Sequence, residues 1–472
     1  MSTDNATLWD VSGGPHAYTL SSDDPVSGMH PVIQRWFEQQ FPEGPTDPQR
    51  GGWPHIAARR HTLIAAPTGS GKTLSAFLVC IDQLVRRWEA GEDLSGGCQV
   101  VYVSPLKALA VDIEHNLSGP LQSLCETAAE MGVAFPTLTA AVRTGDTSPA
   151  ERQAMVSSPP NFLITTPESL YLMVTGARSR AVFSRVDTII VDEIHALARD
   201  KRGSHLALTL ERIAHVAAFE PMRIGLSATQ RPIETVAELL VGARCASDGS
   251  ADCAIVDIGH RRDVDLTIQL PDSDLEAVMS AEQMADVLDD VAEQVLSRQT
   301  TLVFVNTRRM AERVAHLLGE RLGDDVVAAH HGSLSKDRRA RVETRLRAGD
   351  LKALVATASL ELGIDVGPVE LVCQIGSPRS IATFLQRVGR SGHSRHGKPV
   401  GRIYPTTRDE LVEAVAMFAA IDRGVLDAVL PPEAPIDILA QQIIAEAAAQ
   451  DWDEDALFDL TRRCGCGALT VG

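Results

Sequence analysis

Aromatic side chains are scarce in this 472-residue chain, at 4% of positions, and so is lysine, which supplies only six of the 44 basic residues: Lys72, Lys107, Lys201, Lys336, Lys352 and Lys398. Few aromatics means few of the stacking platforms on which single-strand binders hold successive bases. The eight Cys are scattered, and a chain of this length needs no staples, so reduced thiols are expected rather than a disulfide scaffold. No run approaches the ~18 uninterrupted apolar residues of a membrane span. The opening MSTDNATLWDVSGG lacks the basic and apolar regions of a secretory leader, and a cytoplasmic setting is expected. Overall positive charge is missing too. With 62 acidic residues the formal net charge is −18, which argues against a passive nucleic-acid coat protein but not against a motor with one basic channel.

What is present is an ordinary globular profile, 44% hydrophobic and 22% charged, long enough for roughly three domains. Charge reverses locally. From Gly376 to Arg408 lie Arg379, Arg387, Arg390, Arg395, Lys398, Arg402 and Arg408 without one acid, a stretch whose plainest reading is a solvated surface. Because Arg is used almost everywhere, each Lys raises the question of whether a compact ammonium is needed there.

Short apolar runs alternate with longer amphipathic stretches, the pattern of parallel α/β units. The runs predict strands at 61–65, 100–103, 161–165, 188–191, 224–227, 301–306, 326–330, 353–356 and 371–375. Between 245 and 290 Gly, Ser, Asp and Pro gather and the pattern fades. The expected division is a lead segment 1–27, an α/β lobe 28–248, a second lobe 249–425 and a helical remainder 426–472.

Ala66-Pro67-Thr68-Gly69-Ser70-Gly71-Lys72-Thr73 follows a strand and opens a helix. Glycines let backbone N–H groups approach phosphates, and the helix N-terminus adds favourable partial charge. Lys72 can reach the outer phosphates of ATP and Thr73 can ligate Mg²⁺, although Ala66 stands where the general pattern has Gly. The apolar strand Thr188–Val191 ends in Asp192-Glu193-Ile194-His195. Asp192 is the expected holder of the Mg²⁺ shell and Glu193 the group that polarises the attacking water. His195, by itself more often a packed histidine, is a candidate for coupling.

These residues fall into the motif order of superfamily 2 helicases, and the chain resembles that superfamily from about residue 30 to 425. The resemblance implies two RecA-like lobes in tandem and assigns roles by position. Gln49 is similar to the glutamine that reads adenine. Ser104–Leu109, Thr144–Asp146 and Thr166–Glu168 resemble strand-contacting motifs, and Ser227-Ala228-Thr229 the motif that links hydrolysis to lobe movement. In the second lobe Val303–Asn306, His331–Ser333, Ala356–Asp365 and Gln386–His393 match the later motifs, which implies nucleotide contacts at Gly363 and Asp365 and a catalytic part for Gln386. Arg390 is the expected arginine finger. His393 occupies the place of a second finger, leaving Arg387 or Arg395 as substitutes. Lys107, Thr166, Thr357, Ser359 and Arg379 are the implied contacts to nucleic-acid phosphates, which give affinity without sequence readout.

The wording DEIH, SPLKALA, TPESLYLM, HHGSLS, ASLELGIDVG and QRVGRSGH most resembles the large helicase-related (Lhr) family. That resemblance implies ATP-driven 3′→5′ movement on single-stranded DNA and unwinding of DNA and RNA–DNA duplexes in a DNA-repair setting. An RNA helicase, and a clamp-like fragment that binds nucleic acid without unwinding, are the alternatives. The remainder from 426 resembles only the first helices of a winged helix, so a shortened chain is expected, with Ile436, Leu439, Ile443 and Ile444 incompletely covered. Cys464-Gly465-Cys466 lacks the spacing of a zinc site.

Overall fold

The computed structural model describes residues 17–67, 70–259, 263–361, 367–392, 398–433 and 435–464. Thr68, Gly69, Gly363, Asp365, His393 and Arg395 therefore lie outside the described residues. Two compact units divide the chain: one takes in residues up to 66, 70–259 and 428 onward, the other 260–427. No helix among the described residues is long and apolar enough to cross a membrane.

The first unit is built on seven strands: β1 (Thr62–Ala65), β2 (Val100–Val103), β3 (Ala140–Arg143), β4 (Phe162–Thr165), β5 (Thr188–Val191), β6 (Met222–Ser227) and β7 (Ala254–Asp257). They pair in the order β3-β4-β2-β5-β6-β1-β7, and all pairs are parallel. Strands β1, β2, β4, β5 and β6 are buried throughout, as continuous Val/Ile/Leu runs require when helices cover both faces of a parallel sheet. The registers Ala65↔Ser227 and Val103↔Val191 bring the C-terminal ends of β1, β6, β2 and β5 to one edge of the sheet. Ligands of open α/β sheets bind at that edge.

The second unit repeats the plan with β8 (Asp265–Ile268), β9 (Thr301–Phe304), β10 (Val327–His330), β11 (Ala353–Ala356), β12 (Leu371–Ile375) and β13 (Val400–Tyr404). Their order is β10-β11-β9-β12-β13-β8, again wholly parallel. Both sheets are RecA-like, as expected.

Four strands escape the sequence pattern: β3, β7, β8 and β13. Three of them are sheet edges, and their residues are only partly covered, so they lack an unbroken apolar run. One of them moves a boundary. Because β7 pairs with β1 in the register Thr62↔Ala254, the first sheet continues past the boundary expected at residue 249 and the chain leaves that unit only after Gly259.

The C-terminal helices Ile436–Ala449 and Glu454–Arg462 belong to the first unit. Their apolar face is part open: Ile436 and Ile444 are 71% and 68% exposed, while Leu439 and Ile443 are half-buried. Charge supplies the attachment. Glu446 is buried, accepts two 2.9 Å bonds from Arg180 and pairs with the buried Arg212, whose Nη1 also donates to Gln442 Oε1 at 2.7 Å. Removing one partner of such a set leaves an uncompensated buried charge. Glu446→Ala is expected to lower the unfolding free energy on the order of 3 kcal/mol in chemical denaturation. The paired arginines hold the Glu446 carboxyl below its ordinary range against the opposing effect of burial. Its contribution is therefore complete above the ordinary glutamate pKa and is lost as pH falls below it, and wild type and variant should converge in acid.

Candidate nucleotide site and its surroundings

At the C-terminal edge of the first sheet, β1 runs into the loop expected to bind phosphates, and the Ala66 N–H is fixed to Ser227 O at 3.1 Å. Gly71 ends the loop at φ +84°, in the left-handed region, and caps the helix Lys72–Glu89. A Cβ there would come within 3.0 Å of Gln49 Nε2 and 3.4 Å of Thr46 Oγ1, so glycine is required by both conformation and space. Gln49 is buried, and its Oε1 accepts from the Thr46 N–H at 2.8 Å in the capping box that starts the helix Asp47–Ala57. The Gln49 amide NH₂ lies beside Gly71. Pro67 and Ser70 flank the loop, both half-buried. Lys72 Nζ donates to Ala66 O at 2.5 Å, curling the ammonium over the loop.

Two strands away the carboxylates converge on this loop. Asp192 is buried, and each of its oxygens is held: Oδ2 accepts from the Tyr102 hydroxyl at 2.6 Å and Oδ1 from the Glu193 N–H at 2.9 Å. Burial, and then the charge of Glu193, push the Asp192 carboxyl up, and Lys72 opposes this. Such a pair fits a divalent cation, which offsets both charges. No group of three or more His, Cys, Asp or Glu that could hold a metal occurs among the described residues. That donor set suits Mg²⁺, which takes one or two protein oxygens and completes its shell with water and phosphates. Thr73 and Asp192 are the residues that would hold it.

Glu193 is one of three non-glycine residues at positive φ among the described residues, at φ 45° and ψ 40°. Strain of this kind persists where surrounding structure imposes it. It leaves the Glu193 carboxylate 3.6 Å from His195 Nε2. The other ring nitrogen fixes the tautomer, because His195 Nδ1 accepts from the Ala228 N–H at 3.1 Å and lies 3.2 Å from Ser227 Oγ. An N–H can only donate, so Nδ1 carries no proton and Nε2–H faces Glu193. Burial lowers the His195 pKa to about 4, with Lys72 adding to the shift. Thr229 is buried beside this relay, and its hydroxyl donates to Gly259 O at 3.4 Å.

Residues 46–238 match the DEAD/DEAH box helicase family and residues 282–395 the helicase conserved C-terminal domain. A relative from Mycolicibacterium smegmatis, named Lhr helicase/probable uracil glycosylase, is 41% identical over 478 residues, covering 94% of this chain and 31% of the relative. ATP-dependent helicase Lhr-Core from Methanothermobacter thermautotrophicus is 41% identical over 443 residues, covering 93% of this chain and 51% of the relative. The solved structure of Mycobacterium smegmatis helicase Lhr bound to ssDNA and AMP-PNP matches with a TM-score of 0.86 at 42% identity, covering 95% of this chain and 57% of that one. The chain belongs to the Lhr family of superfamily 2 helicases. It spans about a third to a half of the length of these curated relatives.

In this Lhr chain the segments of the first unit expected to contact a nucleic-acid strand carry hydrogen bonds of their own. Lys107, half exposed, bonds Asp146 at 2.7 Å. Arg202 donates to Pro105 O at 2.8 Å and to Glu168 at 2.7 Å, and Arg152 donates to Gly145 O at 2.9 Å. Arg202, which connects two of these motifs, and Arg152, which bonds one, lie outside them, and sequence reading missed both. Thr166 is buried with its hydroxyl 3.2 Å from Ser169 Oγ, so its side chain faces inward.

In the second unit Ser359 Oγ is 2.8 Å from His330 Nδ1, and His330 Nε2 is 3.1 Å from Glu343. Thr357 is half-buried at the same strand end. Arg379 is exposed at φ 63°, its N–H bonded to Ser377 Oγ at 3.0 Å. Gln386 is half-buried, and the buried Arg390 donates from Nη2 to Glu361 O at 3.1 Å. Arg387 is buried over the Phe304 ring, bonded to Glu361 at 2.8 Å and paired with Gln374.

Because His195 stays neutral when folded while an unfolded histidine takes a proton near pH 6.5, its burial costs stability as pH falls. At pH 5 the loss should be on the order of 2 kcal/mol relative to pH 7.5. His195→Gln should flatten that part of the stability–pH curve measured by urea unfolding.

Proposed function

We propose that this chain is a nucleic-acid-dependent ATPase that converts ATP hydrolysis into 3′→5′ movement along single-stranded DNA and unwinding of DNA and RNA–DNA duplexes, in a cytoplasmic DNA-repair setting. The observation that carries the reading is the relay Glu193–His195–Ala228, which begins beside the buried Asp192 and ends on the strand-to-loop junction after β6. A site built only to bind nucleotide has no need of it. The single-stranded DNA and AMP-PNP named for the 42% identical Mycobacterium smegmatis structure support the choice of DNA and of ATP.

Bound ATP supplies the phosphoanhydride that is broken, and its Mg²⁺ offsets charge on the leaving phosphates. Gly71 gives the loop its close approach, and Lys72 places an ammonium over it. Gln49 lies where adenine selection is expected. Asp192 and Thr73 offer oxygens to the cation. Glu193 orients and polarises the attacking water, and His195 holds Glu193 while sensing the Ser227-Ala228-Thr229 turn. Arg390, Gln386, Gly363 and Asp365 are assigned to the second unit's share of the nucleotide, Arg390 as the finger that neutralises charge in the transition state. Lys107, Thr166, Thr357, Ser359 and Arg379 are assigned to the phosphate track, Thr166 through its backbone.

Glu193→Gln should bind ATP as wild type does yet lose DNA-stimulated turnover by at least ~10²-fold, as removal of a water-orienting base does. ATPase assays with poly-dT and poly-U, alongside equilibrium nucleotide binding, provide the check. Undiminished turnover removes Glu193 from the mechanism, and stronger stimulation by poly-U moves the substrate to RNA.

A further inference from the structure

Tyr102 is one of four tyrosines in the chain and the only polar side chain in the run Val100–Val103. It is fully buried, with its ring stacked on Phe77 at 4.9 Å between centroids and 11° between planes. Burying a hydroxyl in an apolar strand costs free energy unless partners are supplied, and a Phe would satisfy the packing without that cost. The partners supplied are the two residues that fit the cation. Tyr102 O–H donates to Asp192 Oδ2 at 2.6 Å, and the Thr73 side chain lies beside the Tyr102 oxygen.

We infer that Tyr102 is a positioning residue of the cation site, aligning Thr73 and Asp192 through its hydroxyl so that both present lone pairs to Mg²⁺. The polarity of the chain follows from chemistry. An ionised Asp192 can only accept, so Tyr102 must give it a proton, and the tyrosine oxygen is left to accept from Thr73. A threonine whose O–H is turned to Tyr102 has its remaining lone pairs free for a cation. Hydrogen-bond partners that hold a metal's ligands in place are worth roughly 10–100-fold in metal affinity.

This inference rests on the proposed ATPase reading, and the test separates the two. Tyr102→Phe keeps the ring and removes the hydroxyl. Binding of a fluorescent ATP analogue is measured against Mg²⁺ concentration and again in EDTA, with thermal unfolding alongside. Phe77→Leu, which disturbs the same packing but leaves the hydroxyl, is the control. The Mg²⁺ midpoint should rise at least about tenfold in Tyr102→Phe and stay unchanged in Phe77→Leu. Nucleotide affinity in EDTA should be equal in wild type and Tyr102→Phe. A wild-type chain that shows Mg²⁺-dependent binding with an unshifted midpoint in Tyr102→Phe overturns the inference alone. Absence of nucleotide binding in wild type overturns the ATPase reading with it. A Tyr102→Phe chain that does not fold also overturns the inference, since the hydroxyl would then serve the fold first.

Discussion

A carboxylate buried at the end of a parallel strand, with a second carboxylate next to it in the chain, is the constraint around which the first unit is arranged. Two such charges in a water-poor site repel each other and each loses its hydration, which is why Asp192 is pushed toward its protonated form. Asp192 has a donor on each oxygen, and Lys72 opposes the rise in its pKa. The left-handed backbone at Glu193 belongs to the same problem. It turns the neighbouring side chain aside to His195. A divalent cation held by Asp192 and Thr73 would offset the remaining imbalance.

From this edge a short series of contacts leads to the turn after β6. His195 is neutral and has one nitrogen on each side of the problem: Nε2–H faces Glu193, and Nδ1 is held by the backbone of the turn after β6. A change in the position of Glu193 is thereby felt by Ala228 without any proton leaving the ring. The same turn begins at Ser227, whose carbonyl fixes the start of the phosphate loop. Loop, Glu193 and turn thus share consecutive polar contacts along a single sheet edge.

Much of the site was legible because its residues act through local chain geometry. Gly71, Lys72 and Thr73 are adjacent, and their roles follow from a strand, a turn and a helix start. Asp192 and Glu193 follow from a buried run that ends in two acids. Tyr102 and Arg202 were not legible in this way. Tyr102 meets Asp192 across 90 positions of sequence, and Arg202 meets Pro105 across 97, so only the parallel pairing of distant strands brings them together. Arg387 is a similar case: it lies in an Arg-rich motif, and its contacts to an aromatic face and to an acid from elsewhere in its unit were not legible in the motif.

The amino-acid order by itself determined the two α/β lobes, the phosphate loop and the acidic pair, since each rests on short-range periodicity, turn chemistry and backbone reach. Tertiary structure alone decided where the first lobe ends, because β7 is too open to carry an apolar signature and is recognised only by its pairing with β1. It also decided that the last helices attach to that lobe through Glu446 and Arg212, and which proton His195 carries. These depend on partners far apart along the chain. Burial makes their hydrogen bonds and charges decisive, and burial is a property of the packed molecule.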